Sequence, residues 1–144
     1  MKLIEPQSPE DFERYFMLRY EVLRKPWNQP FDTVKDELEE VSMHAMIVNE
    51  KGEAIGVCRM HLNNSEEAQL RFMGIREDAR GLSLGKQLLL HFECLARKMG
   101  VKRIILQSRE NALGFYKNNG YVLMEKTYLM WNLIQHYRMQ KDLV

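Results

Sequence analysis

The stretch "REDARGLSLGKQL", Arg76 to Leu88, separates an alternating run from a long helical repeat and decides how the chain is read. Before it, "AQLRFMGI" alternates apolar with polar residues, as a strand does. After it, Leu84, Leu88, Phe92 and Leu95 form one helical stripe, flanked by Leu89 and Met99 and stopped by Gly100. A strand thus passes through a glycine-containing turn into a helix. Backbone N–H groups in such a turn and at a helix start make an anion site. Arg80 and Lys86 add charge, and Gly81 and Gly85 permit close approach or torsions that a Cβ forbids. A P-loop, G-x-x-x-x-G-K-S/T, does not fit. Gly81 and Gly85 are one residue too close, and Gln87 stands where a magnesium-binding hydroxyl is required. The dinucleotide pattern G-x-G-x-x-G is absent. On spacing alone, a turn whose glycines serve only the backbone stays open as the alternative.

The flanking segments supply a mixed α+β or α/β pattern. "SPEDFERYFMLRYEVL" reads as a helix with Ser8 as N-cap, Pro9 at the first position and Asp11 approximating a capping box. Pro26 and Pro30 end it, and "FDTVKDELEEV" reads as a short acidic helix or a loop. "SMHAMIVN" and "AIGVCRMHL", joined by "EKGE", predict a hairpin. "VKRIILQS" predicts a strand and "NALGFYKNN" a short helix ended by Gly120. "YVLMEKTYLMW" and "IQHYRMQKD" predict two strands, the latter as a last edge. Helices covering a mixed sheet follow.

At 144 residues the chain is sized for a single domain, 1–144. Its 21 Lys and Arg nearly balance 20 Asp and Glu, which predicts no nucleic-acid or anionic-membrane partner. Cys58 and Cys94 lie far apart, and "MKLIEPQSPED" is not a signal or transit sequence. Together these predict a soluble, cytoplasmic protein without disulfides. Four scattered His and two Cys show no metal-ligand spacing, so no metal is expected. The run "DELEE", Asp36 to Glu40, reads as a solvated face or as an attractor for a cationic acceptor.

Taken with the segment that follows it, the turn resembles the acyl-CoA signature of the GNAT family of N-acetyltransferases. That signature is R/Q-x-x-G-x-G/A. Arg80, Ser83 and Gly85 occupy its defined positions, with serine in place of the middle glycine. Some 30 residues on, "NALGFYKNNGY" is similar to the family's Asn…Phe-Tyr…Gly-Phe/Tyr segment, through Asn111, Ala112, Phe115, Tyr116, Gly120 and Tyr121. "LRYEVLRKP" and "IQHYRMQKDL" resemble the opening and closing segments of a bacterial subgroup.

The resemblance implies the acyl-CoA N-acyltransferase fold, a twisted, mainly antiparallel mixed sheet flanked by helices. It implies acetyl transfer from acetyl-CoA to a primary amine, a small molecule or peptide, by direct attack in a monomer or homodimer. Met73, Gly74 and Ile75 would bind the pantetheine arm through their backbone, with Gly74 keeping the approach open. The N–H groups of Arg80, Gly81, Leu82, Ser83, Leu84, Gly85 and Lys86 would hold the pyrophosphate. A backbone N–H near Met73 would polarise the thioester carbonyl. Tyr116 would be the general acid, its alternative being an aromatic packed on the sheet, and Asn111 would contact the cofactor or cap a helix. His44 is the candidate base among titratable groups, or else a packed strand histidine. Gln69 and Arg71 stand where relatives often carry a glutamate, with Glu66 and Glu67 just before them. His136 and Trp131 are candidates for the acceptor pocket, or for a structural bond and a dimer seam respectively. A protein that binds acyl-CoA without turnover, as a sensor or interaction partner, is the rival class, and an unrelated nucleotide-using enzyme the second.

Overall fold

The computed structural model describes residues 1–144. Helix α1 (Pro9–Leu23) starts at the predicted capping box. Ser8 Oγ accepts the Asp11 N–H at 3.1 Å, and the Asp11 carboxylate accepts the Ser8 N–H at 3.3 Å. The segment after α1 is neither a helix nor a plain loop. Lys25–Trp27, Phe31–Val34 and Glu39–Val41 are three short 3₁₀ turns. Pro26 and Pro30 prevent a continuous helix, and buried arginines draw Asp36 and Glu39 inward.

Strands β1 (Lys2–Ile4), β2 (Met43–Val48) and β3 (Ala54–Leu62) pair antiparallel in sequence. β1 was not legible, because three residues are too short to show a period. The chain continues through β4 (Glu67–Ile75), α2 (Leu84–Lys98), β5 (Arg103–Arg109), α3 (Leu113–Asn118), β6 (Val122–Met130) and β7 (Ile134–Asp142). The seven strands form one sheet in the order β1-β2-β3-β4-β5-β7-β6. β4 and β5 are parallel, whereas β5 with β7 and β6 with β7 are antiparallel. This is the mixed, mainly antiparallel sheet with helices that the family resemblance implied. β7, expected at an edge, instead lies between β5 and β6. Its buried Ile134, His136 and Met139 suit an inner strand, whereas eight of the nine β6 residues are exposed.

The chain forms two compact units, Met1–His61 with Phe72–Phe92, and Leu62–Arg71 with Glu93–Val144. In the first, Tyr15, Leu18, Met46, Val48 and Val57 make a core against which Phe12, Phe16 and Val22 pack. Leu84, Leu88, Leu89 and Phe92 bury one face of α2. Gly56 lets α2 approach β3, since a Cβ there would lie 3.2 Å from Ile75 Cδ1 and 3.5 Å from Leu88 Cδ1. In the second unit, Glu67 binds Arg103 at 2.9 Å across the β4–β5 register. Buried Glu93 accepts the Tyr121 hydroxyl and the Lys141 ammonium, each at 2.9 Å. Strands β6 and β7 turn at Trp131 and Asn132, both with positive φ, closed by a 2.9 Å bond from Leu133 N–H to Met130 O. The β6–β7 register is interrupted twice, between Leu123 and Glu125 and between Lys126 and Leu129.

Because Leu88 is fully buried, Leu88→Ala is expected to cost about 3 kcal/mol, read as a lowered urea midpoint with unchanged slope.

Candidate active site

The glycine-containing turn is built in the first unit. Beyond β4, Arg76 N–H donates to Ile55 O at 2.9 Å, and Glu77–Ala79 make one 3₁₀ turn anchored by buried Ala79. The Arg76 guanidinium holds Asp78, Nε to Oδ1 at 2.6 Å, and so neutralises the carboxylate beside the turn. Gly81 (φ 84) and Ser83 (φ 61) are both left-handed. Ser83 O accepts Gln87 N–H at 3.1 Å and begins α2. Ser83 thus keeps a glycine-type torsion where the signature has glycine, at a cost of about 1 kcal/mol. Leu84 and Gly85 are buried, Arg80, Leu82, Ser83 and Lys86 are exposed, and no acidic residue lies in the first turn of α2. The N–H groups at this helix start lie between two exposed cations, an arrangement that suits an anion. Ser83→Gly is expected to stabilise the fold by about 0.5–1 kcal/mol in urea denaturation, by removing the left-handed penalty.

Strand β4 bends before it reaches that turn. Its register with β5 ends at Leu70↔Leu106, and Phe72 has φ 57 inside the strand. Met73, Gly74 and Ile75 follow. A Cβ on Gly74 would meet Val22 Cγ1 at 3.3 Å, so the glycine lets α1 pack close to β4. The Phe72 ring lies near three guanidinium carbons, Arg19 at 4.0 Å, Arg59 at 5.1 Å and Arg24 at 5.4 Å from its centroid. Phe72 and Arg59 were not singled out from sequence, whereas Arg19 and Arg24 stood without a role in "LRYEVLRKP", the segment that resembles the opening of a bacterial subgroup.

His44 lies on β2, half-buried. Its Nε2 is 2.8 Å from Glu39 O and therefore carries the proton, and its Nδ1 is 2.9 Å from the Tyr15 hydroxyl. Nε2 is thus committed, while the single Tyr15 hydroxyl proton lies between His44 Nδ1 and Cys58 O, the latter at 3.0 Å. Burial holds the His44 pKa below the ordinary 6.5, partly opposed by the Glu39 carbonyl and reinforced by the Arg19 charge. A depressed histidine pKa means that the unfolded chain binds the proton more readily. Stability is therefore retained above about pH 6.5 and lost as pH falls below it. The melting temperature is expected to drop between about pH 7 and pH 5, and the drop to shrink in His44→Asn.

In the second unit, Tyr116 is a buried residue of α3, its ring edge-on to Tyr121 at 5.8 Å and to Phe115 at 5.0 Å. Tyr116 O accepts the N–H groups of Asn119 and Tyr121, each at 3.0 Å, so the Glu93–Tyr121–Lys141 cluster also fixes the end of α3. Asn111 is exposed, and the N-cap of α3 is Ala112 with no side-chain capping bond, which sets aside the capping role for Asn111. His136 Nδ1 is 3.0 Å from Ile134 O, and the ring stacks on Tyr128 at 4.5 Å. Arg109, cross-strand neighbour of His136, is another residue the sequence did not mark. Burial lowers its pKa, opposed by the nearby Tyr128 and Tyr116. Glu66 and Glu67 are held by Lys102 and Arg103. In the first unit, burial pushes the Cys58 thiol up to about 12, which keeps it protonated. In the "DELEE" run, Asp36 and Glu39 bind Arg59 at 2.6 and 2.7 Å, while Glu37 and Glu40 are exposed. No group of three or more His, Cys, Asp or Glu is placed to hold a metal ion, and no helix is long and apolar enough to cross a membrane.

The profile of the Acetyltransferase (GNAT) family matches residues 9–121. The chain belongs to this family of N-acetyltransferases. It is 30% identical over 143 residues to the uncharacterized N-acetyltransferase YjcF of Bacillus subtilis (strain 168), covering 99% of this chain and 100% of that protein. Among solved structures, an aminoglycoside 6'-N-acetyltransferase complexed with coenzyme A superposes with TM-score 0.83 at 14% identity, covering 100% of this chain and 98% of that one. An acyl-CoA N-acyltransferase from Pseudomonas aeruginosa superposes with TM-score 0.78 at 18% identity, covering 97% of both chains. At these identities the two structures establish the acyl-CoA N-acyltransferase fold.

Proposed function

We propose that the protein transfers an acetyl group from acetyl-CoA to a primary amine of a small molecule or peptide, by direct attack. The observation that carries this reading is the left-handed turn at Gly81 and Ser83, which opens the N-terminus of α2 between exposed Arg80 and Lys86. When bound, acetyl-CoA supplies an acyl group activated as a thioester. The N–H groups of residues 80–86, with the Arg80 and Lys86 charges, hold the pyrophosphate. The backbone of Met73, Gly74 and Ile75, beyond the kink, takes the pantetheine arm, and its N–H groups polarise the carbonyl. Exposed Asn111 contacts the arm. Tyr116 gives its phenolic proton to the departing sulfur as the C–N bond forms and the C–S bond breaks. His44 holds Nε2 on Glu39 O and Nδ1 against the buried Tyr15 hydroxyl, so the acceptor amine loses its proton to solvent, and the rate follows ionisation of that amine. The same commitment of His44 favours a second reading, acyl-CoA binding without turnover.

Thermal shift with acetyl-CoA, longer acyl-CoAs, ATP and NAD, followed by CoA-thiol release with an amine library, tests both. Stabilisation by acetyl-CoA and thiol release with at least one amine are expected. Stabilisation without release from any amine establishes the second reading, and no stabilisation by any CoA species refutes both. In Tyr116→Phe, kcat is expected to fall about 100-fold or more with acetyl-CoA affinity unchanged.

A further inference from the structure

Phenylalanine is a poor choice for a left-handed residue inside a strand, and such a torsion persists only where the surroundings over-determine it. At Phe72 the surroundings are three arginines, each hydrogen-bonded elsewhere. Arg19 donates to Val34 O at 2.6 Å and to the Tyr15 hydroxyl at 3.0 Å, and pairs with Glu39 Oε1 at 3.0 Å. Arg59 donates to Asp36 Oδ1 and Glu39 Oε2 at 2.6 and 2.7 Å. Arg24 donates to Thr33 O at 3.2 Å and Leu23 O at 3.0 Å. Arg19 and Arg59 are fully buried, and the Nε of each is without a hydrogen-bond partner. A buried guanidinium that lacks an acceptor at Nε is compensated by a nearby ring quadrupole; Phe72 is the ring near both, while Tyr15 and Phe16 also lie near Arg19, at 4.8 and 5.0 Å.

We propose that Phe72 is a positioning residue for acyl-CoA: its ring, gripped by Arg19, Arg24 and Arg59, holds the kink that sets the direction of the Met73–Ile75 backbone. This rests on the reading that those residues take the pantetheine arm. The far ends of the arginines bind residues 33–39, so the connection between α1 and β2 is tied to the same kink. Disturbing the ring therefore disturbs cofactor affinity and the N–H groups that polarise the thioester carbonyl, while Tyr116 is left in place.

The test compares Phe72→Tyr, Phe72→Leu and Phe72→Asn by calorimetry with acetyl-CoA, by steady-state kinetics and by the amide NMR shifts of Met73, Gly74 and Ile75. Asparagine tolerates a left-handed torsion, so Phe72→Asn keeps the backbone option but discards the ring. Phe72→Tyr is expected to match the wild type. Phe72→Leu and Phe72→Asn are expected to raise the Kd and KM for acetyl-CoA about tenfold, to lower kcat at saturation, and to move the three amide shifts. Should Phe72→Leu not fold, Arg59→Lys, which keeps the charge and removes the planar face, reads the same affinity loss. Wild-type Kd and unshifted amides in Phe72→Asn or Phe72→Leu overturn the proposal, as does a Phe72→Tyr as weak as Phe72→Leu. Failure of the wild type to bind any CoA species instead removes the functional reading, while the amide shifts still report whether the ring holds the kink.

Discussion

Strand β4 carries two demands that a regular strand cannot meet together. Up to Leu70 it pairs in parallel register with β5, and its Glu67 is matched to Arg103. Two residues later the backbone passes through a left-handed torsion at Phe72. A strand that simply continued would present a different set of backbone groups from residues 73 to 75. Everything proposed for the acyl end of the site depends on that change of direction, and the turn at residues 76–83 inherits it.

The charges around the kink are organised for geometry more than for net stability. Two fully buried guanidiniums meet two carboxylates, Asp36 and Glu39, so the formal charges cancel. Such clusters recover little more than the desolvation they incur, but removing one partner leaves an uncompensated charge in the interior. They therefore act as an all-or-nothing fastener. The hydrogen bonds to Val34 O and Thr33 O extend the fastener to the backbone of the α1–β2 connection, which has only short 3₁₀ turns of its own.

Much of the fold was legible because its signals are local. The capping box at Ser8, the β2–β3 hairpin and the stripe on α2 each follow from spacing within one element. The left-handed torsion at Gly81 was one of the two uses its glycine announced, whereas serine at 83 left the torsion there undecided until the structure was seen. What was hidden needed partners from distant segments. Phe72 looks like any apolar strand residue, and Asp36 and Glu39 look like members of a solvated run until Arg59 is seen beneath them. Strand order escaped for the same reason, because nothing within "IQHYRMQKD" says that it inserts between two other strands. Asn111 left two uses open, and only the absence of a side-chain cap on Ala112 separated them.

The two register breaks in β6 have a consequence of their own. The strand lies at the end of the sheet with Val122 61% and Leu129 51% exposed, a composition that invites neighbouring chains to add on. Intermolecular stacking needs an unbroken run of evenly spaced amides and carbonyls. The interruptions at residues 123–125 and 126–129 divide the border into short, mismatched lengths. The irregularity protects the protein against fibrillar growth and lets apolar residues remain at its margin.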